Sequence, residues 1–140
     1  MADQPILLVE DDLDDANLLK RAMSVAGIKR PLLVITHAEE AIRYLDGKGQ
    51  YADRDRHPLP SLVLIDLKLE GLPGHEVIAW LRARRQFDAV KIIVLSGLDH
   101  EAHRSEAYRL GANSFLVKTP KFEELVEKVK NIAAFWPGVR

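Results

Sequence analysis

The sequence predicts an α/β domain, a doubly wound five-stranded parallel sheet with helices on both faces. Three observations carry that reading. Short apolar runs alternate with amphipathic stretches of helical length along the chain. The runs are continuously apolar, as strands buried on both faces are. Polar or charged residues follow them directly, marking the carboxyl edge where open α/β sheets place their ligand sites.

Taken in order, the first strand is Pro5–Glu10, built on Ile6-Leu7-Leu8-Val9. A helical pattern over Asp14–Ala26 follows and stops at Gly27, as helices stop at a C-terminal glycine. The second strand is Leu32–Thr36, and the helix Ala38–Asp46 ends at Gly47 in the same way. Residues Gly47–Pro60 are polar, rich in Gly and Pro and without a period, so they predict a long surface loop. Leu62–Asp66 is the third strand and the most apolar, followed by a helix over Gly74–Arg85. Lys91–Leu95 and Ser114–Val117 are the last two strands, separated by a helix Asp99–Leu110 that ends at Gly111. The final helix is Lys121–Phe135.

The bulk numbers limit what such a domain does. A chain of 140 residues, 47% hydrophobic, suits one domain around one core. A net charge of -1 gives no reason to expect nucleic-acid or membrane attraction. Cysteine is absent, which excludes disulfides and thiolate metal sites. No membrane-span pattern and no signal peptide are present, so a cytoplasmic protein is expected. The sequence stops directly after the fifth helix, and one domain over residues 1–140 with no output domain is expected.

Chemistry concentrates at the strand ends. Glu10, Asp11 and Asp12 follow the first strand, and Asp66 closes the third. Parallel strands bring these carboxylates to one edge, where mutual repulsion raises the cost of ionising them. A hard divalent cation relieves that cost, because Mg²⁺ binds through a few carboxylates while keeping several waters. Asp12 or Asp14 also suits the cap of the first helix. An aspartate carboxylate can attack phosphorus once charge is neutralised, and Asp66 is the candidate nucleophile. Ser96 follows the fourth strand and can donate a hydroxyl hydrogen bond to a phosphoryl oxygen. Lys118 follows the fifth and offers a point charge.

The order Val9-Glu10-Asp11, Leu64-Ile65-Asp66, Leu95-Ser96 and Phe115-Leu116-Val117-Lys118 resembles the receiver domain of two-component response regulators. The resemblance covers essentially the whole chain and implies a strand order of 2-1-3-4-5 in a flavodoxin-like sheet. It also implies a signalling phosphoprotein rather than an enzyme. Asp66 would accept a phosphoryl group from a phosphohistidine on a sensor histidine kinase, and Glu10, Asp11, Asp66 and the backbone carbonyl of Lys68 would hold Mg²⁺. Ser96 and Phe115 would be the switch pair, and Lys118 the phosphate-binding lysine. The loop Gly47–Pro60 and the ending Phe135-Trp136 are similar to single-domain regulators that partner bacterial phytochromes. In that subgroup the fourth and fifth helices and last strand commonly form a homodimer. Phe135 falls off the apolar stripe of the last helix, so Phe135 and Trp136 are the candidate interface with a second copy or a downstream partner.

Three positions depart from the family pattern. Glu70 stands where proline is usual, and Thr119 separates Lys118 from Pro120, so the Lys118–Thr119 bond is expected to be trans. Lys68 puts a cation beside the pocket, expected to pair with an acid in the resting state. Competing classes fit less well. A Mg²⁺-dependent phosphatase or phosphotransferase with an aspartate nucleophile wants a second aspartate where Lys68 stands. A flavin- or nucleotide-binding domain wants a glycine-rich loop where Glu10-Asp11-Asp12 would repel phosphate. His100 and His103 form a pair on one helix face and read as solvated, and His37, His57 and His75 as isolated.

Overall fold

The computed structural model describes residues 4–68, 73–97 and 101–135, with Phe135 described by its backbone alone. Five parallel strands form one sheet in the order β2-β1-β3-β4-β5. They are β1 Ile6–Val9, β2 Leu32–Ile35, β3 Leu62–Asp66, β4 Lys91–Ser96 and β5 Ser114–Val117. The helices are α1 Leu13–Val25, α2 Ala38–Asp46, α3 Gly74–Arg82, α4 Glu101–Leu110 and α5 Phe122–Phe135. Single turns of 3₁₀ helix lie at Gly49–Tyr51 and Arg85–Phe87. The expected fold class and strand order are those observed, and every strand core falls where its apolar run lies.

Side-chain alternation along the strands divides the core into two layers. Leu7, Val9, Val63, Ile65, Ile92 and Val94 pack beneath α2, α3 and α4 with Leu45, Ile78 and Leu81. Ile6, Leu8, Leu62, Leu64, Ile93 and Leu95 pack beneath α1 and α5 with Leu19, Met23, Val129 and Ile132. The same alternation sets the strand ends. Glu10 continues the parity of Leu8, Asp66 that of Leu64, and Lys118 that of Leu116, all on the α1–α5 side. Ser96 follows the parity of Val94, and Phe115 packs into the same layer on the α3–α4 side. Register completes the arrangement, with Val9 beside Ile65 and Asp66 beside Leu95.

Two segments depart from expectation. Helix α3 stops at Arg82 rather than Arg85, capped at Ala83 and followed by the 3₁₀ turn Arg85–Phe87, and the Arg82 side chain reaches from its end to acceptors elsewhere. Its Nε donates to Gly111 O at 3.0 Å, and its terminal nitrogens donate to Phe87 O at 3.1 Å, Val90 O at 2.8 Å and Asn113 Oδ1 at 3.0 Å. That fork ties the chain entering β4 to the chain entering β5 and satisfies carbonyls outside any ladder. The expected loop 47–60 is ordered around Arg54, which donates to Tyr44 O and Leu45 O at 2.7 Å each, closing the end of α2. His57 is not isolated: its ring meets Tyr51 edge-on at 5.2 Å and Tyr44 at 6.0 Å. The loop thus carries its own small aromatic core.

Candidate functional site

Three strand ends and one helix start build the site. Helix α1 begins one residue after Asp12, whose carboxylate accepts from the backbone N–H groups of Asp14 at 2.9 Å and Asp15 at 3.2 Å. Asp12 is therefore the cap and satisfies two otherwise orphaned donors. Glu10 is buried at 1% exposure, Asp66 at 6% and Ser96 at 4%, and these are the buried polar side chains among the described residues. Burying acids is costly unless they are compensated, so a cation must be close.

Lys118 is that cation. Its ammonium donates to Glu10 Oε1 at 2.5 Å, Asp66 Oδ2 at 2.6 Å and Asp15 Oδ2 at 3.0 Å. An ammonium has three hydrogens to give, and all three are used. Burial alone would lower the Lys118 pKa, but its bonds to Asp66, Glu10 and Asp15 outweigh that and raise it. Glu10 is pushed the other way from a normal acid. Burial lifts its carboxyl to about 7, with Lys118 opposing and neighbouring Asp66 adding to the rise.

Glu10, Asp11 and Asp66 each present one carboxylate oxygen, and these lie within 4.8 Å of one another. Three hard oxygens at that spacing fit Mg²⁺ or Mn²⁺, and no soft donor intrudes. The backbone N–H of Lys68 donates to Asp66 Oδ1 at 2.9 Å, so the chain turns around the carboxylate it has just delivered. The Lys68 ammonium does not make the expected pair with an acid among the described residues. Its side chain is exposed, and the buried acids are already matched by Lys118.

On the opposite face, the Ser96 carbonyl accepts from the Lys118 backbone N–H at 2.7 Å, coupling the ends of β4 and β5. Phe115 is 7% exposed, and the Arg104 guanidinium lies 4.8 Å from its ring centre. No peptide bond among the described residues is cis, so Lys118–Thr119 is trans as expected. The Thr119 hydroxyl donates to Glu124 at 2.8 Å and accepts from the Lys121 N–H at 3.2 Å, organising the entry to α5. Glu70, His100, Trp136 and the Phe135 side chain lie outside the described residues.

The site thus unites Glu10, Asp11, Asp66 and Lys118, with Ser96 at the end of β4 and Phe115 in the layer on the α3–α4 side. Asp15 is the residue that strand-end reasoning passed over. Its signal was present: it stands one turn before Leu19 on the inward edge of α1, an acid placed on an apolar stripe.

A doubly wound parallel sheet that gathers strand-end acids and a strand-end lysine at its carboxyl edge is the architecture of receiver-type signalling domains. The chain belongs to the response regulator receiver domain family, whose model matches residues 6–130. Response regulator Rcp1 of Synechocystis sp. is 29% identical over 131 residues, spanning 94% of this chain and 87% of that protein. The solved Mn²⁺-bound form of Rcp1 superposes with a TM-score of 0.82 at 28% identity, over 95% of this chain and 94% of that one. Response regulator RPA3017, in red light signaling of R. palustris, superposes at 0.90 with 30% identity, over 98% and 96% of the two chains. The phosphorylated cyanobacterial phytochrome response regulator RcpA superposes at 0.86 with 29% identity, over 97% and 95%. No helix among the described residues is long and apolar enough to cross a membrane.

Proposed function

We propose that this receiver accepts a phosphoryl group on Asp66 from a phosphohistidine of a sensor histidine kinase. The observation that carries the reading is one buried carboxylate, Asp66, shared between a lysine ammonium at 2.6 Å and an oxygen cluster suited to a divalent cation. An oxygen of Asp66 attacks phosphorus in line with the departing imidazole. The O–P bond forms as the N–P bond breaks, and the electron pair leaves on the imidazole nitrogen, which takes up a proton. Mg²⁺, held by Glu10, Asp11, Asp66 and the Lys68 carbonyl, would neutralise the oxygens of the transferring group. Lys118 supplies the matching positive charge from the other side, and the Ser96 hydroxyl donates to a phosphoryl oxygen.

Output follows from the placement of Ser96 and Phe115 on one face of the sheet, in the neighbouring strands β4 and β5. The phosphoryl group adds nearly two negative charges and three acceptors. Drawing Ser96 toward it changes the space beside the buried Phe115 ring, and with it the Arg104 guanidinium lying over that ring. The surface of α4, β5 and α5 is then the part that changes for a downstream protein, a phosphotransfer partner or a second copy. This is a shift between two packings of one fold. The likeness to RPA3017 and RcpA favours a phytochrome-type kinase as the donor, and such a partner places the domain in the cytoplasm.

The direct test is incubation with acetyl phosphate. An acid-labile adduct forms with Mg²⁺ present and fails to form when the metal is chelated. An adduct indifferent to metal contradicts the proposal.

Binding of the cation also depends on pH. Metal needs Glu10 ionised, whereas the metal-free carboxyl keeps its proton up to about 7. Binding therefore releases that proton below this pH and none well above it. The Mg²⁺ dissociation constant should rise roughly tenfold per pH unit below about 7 and level off above it. Calorimetric titration in buffers of different ionisation enthalpy reads the released proton directly. A constant flat through that range would contradict the assignment of Glu10.

A further inference from the structure

We infer that Asp15 is a positioning residue for Lys118, holding the ammonium at the mouth of the site while Glu10 and Asp66 change partners. The inference rests on the reading of Asp66 as phosphoacceptor. Three observations support it. First, the three carboxylates on Lys118 are not equivalent. Glu10 and Asp66 belong to the oxygen cluster suited to a cation, whereas Asp15 stands outside it on α1. A cation at that cluster competes with Lys118 for Glu10 and Asp66, and phosphorylation turns the Asp66 carboxylate into an acyl phosphate whose negative charge lies on the phosphoryl oxygens. Asp15 is the partner that neither event takes away.

Second, packing does not hold the ammonium on this side. A cavity of about 40 Å³ lies there, lined by six leucines, Leu18 and Leu116 among them, together with Glu10, Asp15, Lys118 and Thr119. That is enough space for a water; no leucine can restrain a charged group by hydrogen bonding, and the Thr119 hydroxyl is already engaged with Glu124 and the Lys121 N–H. A flexible four-carbon stem beside open space needs a charged partner to fix its end.

Third, Asp15 is itself fixed at its backbone. Its N–H is bound to the capping carboxylate of Asp12 in the first turn of a 13-residue helix. Leu19 and Ala22 bury that helix against the sheet. The anchor therefore sits on a rigid element, while the group it holds is the long, mobile side chain.

The test is a cycle of variants in the full chain, reading the initial rate of adduct formation from acetyl phosphate at saturating Mg²⁺. Asp15→Ala should slow phosphorylation roughly three- to tenfold, and Asp15→Asn, which keeps the shape, should fall between that and the wild type. In a Lys118→Met background the same Asp15→Ala change should have no further effect, because there is no ammonium left to position. Mg²⁺ affinity, titrated separately, should stay within about threefold of wild type, as expected for a charge outside the ligand set. A wild-type rate in Asp15→Ala overturns the inference, and so does an undiminished Asp15 effect in the Lys118→Met background. If the wild-type chain takes up phosphate on Asp66 while either result is seen, this inference alone has failed. If it takes up none, the phosphoacceptor reading has failed and this inference with it.

Discussion

Asp66→Asn abolishes formation of the acid-labile adduct while leaving the fold intact. The amide is isosteric with the carboxylate and can still accept from the Lys68 N–H, bonded at 2.9 Å in the native chain. What it loses is the anionic oxygen that attacks phosphorus. Losing the nucleophile removes the covalent step entirely, so the adduct disappears rather than declines. Stability should move the other way or stay level. Asp66 is buried at 6% exposure beside Glu10, and replacing one of two crowded acids by a neutral amide relieves their repulsion, which offsets the lost ion pair with Lys118, whose ammonium keeps Glu10 and Asp15. Intact-mass spectrometry after treatment with acetyl phosphate, with acid lability as the control, reads the outcome. An equal yield of acid-labile phosphate on another residue would falsify the assignment of Asp66.

Gly74→Ala is the second large effect, and it acts on the same residue from the scaffold. Helix α3 starts so close to the end of β3 that a Cβ at position 74 would lie 2.4 Å from the Asp66 carbonyl oxygen and 3.1 Å from the Leu67 Cα. Both are backbone atoms. Neither can turn aside as a side chain would, because β3 is paired with β1 on one side and β4 on the other. The start of α3 must retreat instead, loosening Val77, Ile78 and Leu81 from the core they fill. Overpacking of this kind costs about 1–3 kcal/mol, or a fall in Tm of roughly 3–10 °C for a domain of this size. Phosphorylation should slow as well, since the retreating start of α3 packs directly against the backbone that carries Asp66. Scanning calorimetry beside the adduct assay decides the matter, and an unchanged Tm would show that the contact yields freely.

The core of the site was legible because parallel strands remove most of the freedom. Once Ile6-Leu7-Leu8-Val9 and Leu62-Val63-Leu64-Ile65 are read as strands of one parallel sheet, Glu10 and Asp66 have to emerge at one edge. Alternation then decides faces, which is why Lys118 joins the acids while Ser96 and Phe115 fall on the other side. Helix ends and loops were less legible. The apolar period runs through Arg85, and nothing local announces that the Arg82 side chain will leave α3 for four distant acceptors. The stretch 47–60 has no period because its order comes from Arg54 reaching back to α2, a contact between residues that no repeat relates.

The sequence by itself determined the class of fold, the edge at which the chemistry gathers, and the residue types that meet there. Those follow from strand burial, from the period-two alternation of side chains and from where each apolar run stops. Only the tertiary structure decided which acids the single lysine holds. Five carboxylates follow β1 within six residues, and their spacing in sequence does not say which serve the helix and which the pocket. The phase of α1 settles it: Asp12 turns to cap the helix, and Asp15, one turn before Leu19, swings inward to Lys118. That outcome depends on how α1 packs against α5 and the sheet, a balance of many weak contacts that no short stretch of sequence encodes alone.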